Sequence, residues 1–211
     1  MFLSQLNETL SSFDKDDCGD YFELYITTGL CETNGFGYTG ATPDENRLYH
    51  FDWHIQGRND RQPWTIDTKA PKKLKMRPDE PFTKDYFLLE YTGWKGFPGW
   101  LRGKADKLGM YMIDDDACNL YVFDREECLM YARSLGMDPE QPHRYSGRPP
   151  IKQWLQRWGE KTRDSFIWVP KQELLDSLYH YDIFNVPVSL MEAELRKFQP
   201  HLFDPRPSGT I

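Results

Sequence analysis

Apolar positions recur along this chain with two periods, and each period predicts an element. Leu3, Leu6, Leu10 and Phe13 stand at helical spacing, as do Tyr21, Phe22, Tyr25 and Ile26; residues three and four apart share one face of an α-helix. Two short helices, or one helix broken near Gly19, are expected. Residues 30–40 are rich in Gly, Thr and Asn and predict a loop or an irregular hairpin. Three strand-like segments follow: an aromatic alternation over 48–56, the short 64–69, and the almost wholly apolar 86–92, broken only by Glu90.

Residues 107–113 and 119–123 predict two more strands, turning at Asp114-Asp115-Asp116. Asp124 can cap the next helix, with Glu127 three residues on completing a capping box. Cys128, Tyr131, Ala132 and Leu135 form its apolar face and Gly136 its end. Residues 137–150 predict a loop, 151–158 a short helix, 165–169 a last strand and 171–179 a helix. A final helix is expected to open at Ser189, with Glu192 as a second box. This order predicts an α/β or α+β class with a central mixed sheet flanked by helices. A core over 1–136 with a helical C-terminal extension over 137–211 is expected, or a single domain 1–211.

Composition narrows the picture. The chain has 211 residues, 15% of them aromatic, and large rings supply enough buried area for a sizeable core. A formal net charge of −7 argues against coating nucleic acid by bulk charge. The charge is uneven, however. Lys72, Lys73, Lys75 and Arg77 follow Lys69 with no acid among them, whereas acids gather at 14–20 and 114–116. Cys18, Cys31, Cys118 and Cys128 form no CxxC pair, so reduced, partly buried thiols are expected rather than zinc or a disulfide framework. No signal peptide is evident, and no stretch approaches the roughly 18 apolar residues of a membrane span. A cytoplasmic location is expected.

The candidate chemistry lies in Ile66-Asp67-Thr68-Lys69. In a strand, Asp67 and Lys69 share one face about 6.6 Å apart, and a neighbouring strand at about 4.8 Å could bring in Asp52. Two carboxylates on one face repel unless a hard cation lies between them. Side-chain and backbone oxygens suit Mg²⁺ (or Mn²⁺), which makes Asp52, Asp67 and Thr68 the candidate ligands. Lys69 can orient water or offset charge on the phosphorane, and phosphodiester hydrolysis needs these functions together. The bland alternative is a surface ion pair on an edge strand.

Asp52 followed by Asp67-x-Lys69 resembles the PD-(D/E)XK nuclease signature, an acid on one strand and acid-x-lysine on the next. Ala41-Thr42, Glu45-Asn46, His50-Phe51-Asp52, Ile66-Asp67-Thr68-Lys69-Ala70, Glu90, Lys95-Gly96 and Gly99-Trp100-Leu101-Arg102-Gly103-Lys104-Ala105-Asp106 are similar to a group of small phage and large-virus proteins assigned to that superfamily. The likeness covers roughly 19–123, with a fainter echo at 166–170. It implies a restriction-endonuclease-like core, Asp52 and Asp67 as metal ligands, and Lys69 as the catalytic lysine. It also implies an acid from the first helix, for which Glu23 is the candidate, against the alternative of a solvated helix face. The residue before Asp52 is Phe51 rather than Pro, a departure from the pattern.

Further candidates surround this centre. Lys72, Lys73, Lys75 and Arg77 are expected phosphate contacts, with a solvated connector as the alternative. Gly93 to Lys104 could grip a backbone through Lys95, Arg102 and Lys104, or form a structural turn with Trp100 packed inward. His50 and His54 would share the face of Asp52 in a regular strand; His50 suits the site edge, whereas His54 is expected to pack or hydrogen-bond. Glu90 is expected either to support the metal through a water or, preferentially, to pair with a basic residue such as Lys104 or Arg102. The expected activity is a metal-dependent nuclease acting on nucleic acid, with DNA the expected substrate, and a homodimer is compatible with it. The rival is a non-catalytic nuclease scaffold that binds a host or viral protein.

Overall fold

The computed structural model describes residues 21–59, 62–70, 85–93, 97–113, 117–137, 152–157 and 163–198. The expected helix over Leu3–Phe13 and the acidic turn at 114–116 lie outside them. The first described element is a wide π-type turn, Tyr21–Ile26, that runs into α1, Thr27–Asn34. Helix α1 ends at Gly35, whose φ of 69° is the left-handed conformation that a side chain disfavours.

Six strands form the main sheet, in the order β1 (Gly37–Gly40), β2 (Trp53–Gln56), β3 (Trp64–Lys69), β5 (Lys107–Ile113), β6 (Cys118–Asp124) and β9 (Tyr181–Val186). Only the β3–β5 pairing is parallel. A second, antiparallel sheet has the order β4 (Tyr86–Thr92), β8 (Arg163–Pro170), β7 (Lys152–Arg157). The architecture is therefore mixed α/β, with a mixed central sheet flanked by helices.

Strand alternation divides the core in two. Tyr111 and Ile113 of β5, with Leu120 and Val122 of β6, meet Phe22, Ile26 and Leu30 beneath the first helix. Leu108, Met110, Tyr121 and Phe123, on the opposite face, meet Phe87, Leu89, Ile167 and Val169 of the second sheet. Cys128, Leu129 and Ala132 of α3 (Arg125–Ser134) complete that second cluster. Period-two strands buried on both faces explain why β5 and β6 read as nearly continuous apolar runs.

Several elements depart from the sequence expectation. Residues 48–56 are not one strand: Pro43–Tyr49 is a helix, α2, and β2 begins only at Trp53. The cause is a capping box. Thr42 Oγ1 accepts from the Glu45 N–H at 3.2 Å, and Glu45 Oε2 accepts from the Thr42 N–H at 2.8 Å, with Pro43 at the first turn. Residues 152–157 form β7 rather than a helix, because β8 offers a complete antiparallel ladder. The segment after Met137 is thus not wholly helical; it contributes three strands beside α4 (Lys171–Ser177) and α5 (Val188–Phe198). Helix α5 begins one residue before Ser189, so that residue does not cap it. Asp124 does cap α3, accepting from the Glu127 N–H at 3.2 Å. The Glu127 carboxylate instead receives the Tyr179 N–H at 2.8 Å and ties α3 to the start of β9.

Candidate active site

The site forms where β2 meets β3. Trp53 pairs with Ile66 at the end of their ladder, and Asp52, the residue before β2, still donates its N–H to the Ile66 carbonyl at 2.9 Å. Beyond that point the side chain of Asp52 takes over from its backbone. Its Oδ2 accepts the Thr68 N–H at 2.6 Å and the Thr68 hydroxyl at 3.1 Å, and its Oδ1 accepts the Asn46 amide at 2.8 Å. Asn46 also donates to the Phe51 carbonyl at 3.1 Å. Helix α2, unexpected from the strand pattern, thereby orients the first carboxylate. Asn46 was missed as a site residue because that same pattern had removed its helix.

Asp67 and Lys69 share the face of β3 that Leu108 and Met110 occupy on β5, as their registers require. Asp67 is only 2% exposed. Its Oδ1 accepts from the Lys69 ammonium, while its Oδ2 is buried with no hydrogen-bond partner. Burial pushes this carboxyl well above the ordinary range; Lys69 offsets part of that, and the neighbouring Asp52 adds to it. Burial also opposes the charge on Lys69, but Asp67, Asp52 and Glu23 outweigh it and hold the ammonium above its usual value. A quarter of the Lys69 side chain is exposed, while its ammonium is held against the buried Asp67 carboxylate.

His50 borders this group. It closes α2 in a left-handed conformation, φ 55°, and is the sole non-glycine with positive φ among the described residues. Burial and the adjacent Lys69 lower its pKa, with Asp52 acting against them. It is therefore at the site edge, although not through the regular strand that its spacing suggested. A Cβ on Gly103 would lie 2.8 Å from both His50 Cβ and the Tyr49 carbonyl, so only glycine lets that turn approach so closely. His54 packs edge-on against Phe51, with ring centroids 4.9 Å apart, and lies 3.3 Å from Glu45, the packing role expected of it.

Other candidates lie elsewhere. Phe87, Leu89 and Tyr91 of β4 face the core, so alternation turns Glu90 to the other face of the second sheet. The Arg102 guanidinium lies 5.3 Å from the Tyr91 ring centroid and the Lys104 ammonium 4.8 Å from that of Tyr49. Trp100 is buried, as the turn reading required. Lys72, Lys73, Lys75, Arg77 and Lys95 lie outside the described residues. Cys31, Cys118 and Cys128 are buried thiols.

No protein family, curated protein or solved structure matches the chain.

The fit of a cation can be tested on this geometry alone. Among the described residues, no group of three or more His, Cys, Asp and Glu side chains stands at metal-binding spacing. Mg²⁺ asks for less, because it keeps several waters and is held by one or two carboxylates. Asp52 and Asp67 meet that need, and the orphaned Oδ2 of Asp67 is a buried polar atom that a cation would satisfy. The Thr68 N–H and hydroxyl hold the Asp52 carboxylate from the side.

Proposed function

We propose that this protein is a metal-dependent nuclease that hydrolyses phosphodiester bonds in nucleic acid, with DNA as substrate. One observation carries the reading. A buried aspartate, Asp67, has one oxygen on a lysine and the other on nothing, beside a second aspartate already oriented by three donors. Leaving a buried carboxylate oxygen unsatisfied costs about 1–3 kcal/mol or more. A protein tolerates such a cost at sites where the group has work to do.

In this reading Asp52 and Asp67 hold Mg²⁺ or Mn²⁺, which when bound polarises a phosphoryl oxygen and lowers the pKa of a bound water. The chain supplies the rest. Asn46 and Thr68 fix the Asp52 carboxylate before substrate arrives, so no reorganisation is needed during reaction. Lys69, anchored by Asp67, presents a positive charge where negative charge builds on the phosphoryl group. Asp67, Asp52 and, to a smaller extent, Glu23 favour the charged form of that lysine. In this reading the mixed sheet is a restriction-endonuclease-like core whose strands β1, β2, β3, β5 and β6 lie within residues 1–136, while 137–211 add β9 at its edge, and the protein acts in the cytoplasm.

The test is a cleavage panel of linear, circular, branched and single-stranded DNA, with Mg²⁺, with Mn²⁺ and with chelator. Cleavage should require the metal and disappear in Asp67→Asn and Lys69→Ala. Equal cleavage by wild type and both variants, or full activity in chelator, would end the proposal.

A further inference from the structure

Among the described residues the main sheet has two edges, β1 and β9, and they are built differently. Strand β1 is only four residues long and carries glycine at both ends, a short edge of the kind that resists further pairing. Strand β9 is six residues long and makes an unbroken ladder with β6, from Tyr181↔Phe123 to Val186↔Cys118. It contains no proline, lysine or bulge, the usual devices that protect an edge. Its start is fixed in place by the Tyr179 N–H on the Glu127 carboxylate. Alternation sends Phe184 and Val186 into the core beneath the first helix. Tyr181 and Ile183 take the other face and remain 41% and 49% exposed.

We infer that β9 pairs with β9 of a second copy of this chain, joining two six-stranded sheets into one. An antiparallel edge is self-complementary, because a two-fold axis normal to the sheet brings the same N–H and C=O pattern against itself. That axis keeps each face on its own side, so only residues of like parity can stand opposite one another. The side chains then choose the register. Centring on Asp182 would oppose two carboxylates, which is destabilising. Centring on Ile183 opposes Ile183 to Ile183, with Tyr181 against Asn185 on the same face and Asp182 against Phe184 on the other. This register covers the exposed apolar pair and keeps the strand's only charge away from its copy. Another protein could not be assured of that match, whereas a second copy brings it with the same residues.

The test is sedimentation of the full chain from micromolar to millimolar concentration. Wild type should approach a species of twice the chain mass. Ile183→Lys opposes two charges at the axis and should weaken self-association by at least about tenfold. Its circular dichroism should be unchanged, since the position is half exposed. Ile183→Cys should cross-link to a dimer on mild oxidation, whereas Asp182→Cys should not. A wild type that stays monomeric throughout overturns the inference, as does a dimer that Ile183→Lys leaves intact. Neither outcome depends on nuclease activity.

Discussion

Asp52 and Asp67 are adjacent carboxylates with opposite fates: the first accepts three hydrogen bonds from Thr68 and Asn46, whereas the second has one oxygen on Lys69 and one on nothing. The asymmetry prepares one ligand in advance and leaves the other in need of a cation. A proton is the competing occupant, because a protonated Asp67 can donate to Asp52.

The first prediction follows from that competition. The folded-state pKa of Asp67 lies above its ordinary value of 3.8. Within the window between the two, the folded chain binds more protons than the unfolded chain, so stability falls as pH rises through it. Above the window the ionised Asp67 burdens the metal-free protein. Thermal melts should therefore show the wild type losing ground to Asp67→Asn between acid and neutral pH. Adding Mg²⁺ or Mn²⁺ at a hundred times its dissociation constant should stabilise the wild type by about 2.7 kcal/mol, or roughly 5–10 °C for a domain of this size. Asp67→Asn should gain little. A non-catalytic scaffold would show no such metal response.

Lys69→Ala should lower single-turnover cleavage about 10²–10³-fold, the usual effect of removing one charge aimed at a transition state. The loss should fall on the rate constant and not on DNA affinity. Lys69→Arg should restore little, since a planar guanidinium cannot replace a compact ammonium set against Asp67.

Asn46→Ala should leave the fold intact and raise the Mg²⁺ concentration needed for half-maximal activity about 10–100-fold, as for other residues that orient a ligand. Among the described residues the Asn46 side-chain amide donates to Asp52 Oδ1 and the Phe51 carbonyl. Unchanged metal dependence would therefore remove α2 from the site.

How much of this was open to reading from the residues depends on which signal dominates locally. Asp67 and Lys69 were legible, because a strand of period two fixes their common face whatever else surrounds it. The pairing of Asp52 with them was legible as well, but its scaffold was not. Leu48, Tyr49, Phe51 and Trp53 imitate a strand, and the Thr42-Pro43-Asp44-Glu45 box that overrides them was the better signal. His50 illustrates the difference: its place at the site edge was anticipated, while its left-handed backbone arises from a helix end the alternation concealed. Residues 152–157 carry no decisive local preference, and their strand state comes from β8, a partner that no neighbouring residue announces. Strand β9 was hidden for the same reason. Glu90 followed from its own strand, whose alternation turns it from the core, and Arg102 and Lys104 lie over aromatic rings.

Arg125 should matter for stability, because its side chain is only 11% exposed and the carbonyls of two buried residues depend on it. Its Nε donates to the Ala105 carbonyl at 2.6 Å and its Nη1 to the Leu101 carbonyl at 2.9 Å. These bonds hold the turn that brings Gly103 against His50. Arg125→Ala should cost about 2–3 kcal/mol in urea unfolding, since hydrogen bonds to charged groups contribute roughly 1.5–3 kcal/mol each and water replaces part of that. A loss below about 0.5 kcal/mol, the level of an ordinary surface change, would contradict the role assigned to it.

The single parallel pairing in the main sheet separates assembly from enclosure. Strands β1, β2 and β3 meet through short connections, so Asp52 and Asp67 can come together while later parts of the chain are still unformed. The strand that flanks Asp67, carrying Leu108 and Met110, pairs only after a long stretch of intervening sequence, and such distant closures are slow. During synthesis the two aspartates would thus be neighbours in water first, where charge is inexpensive, and would be drawn into the interior afterwards. An ion captured at that early stage would be carried inward with them.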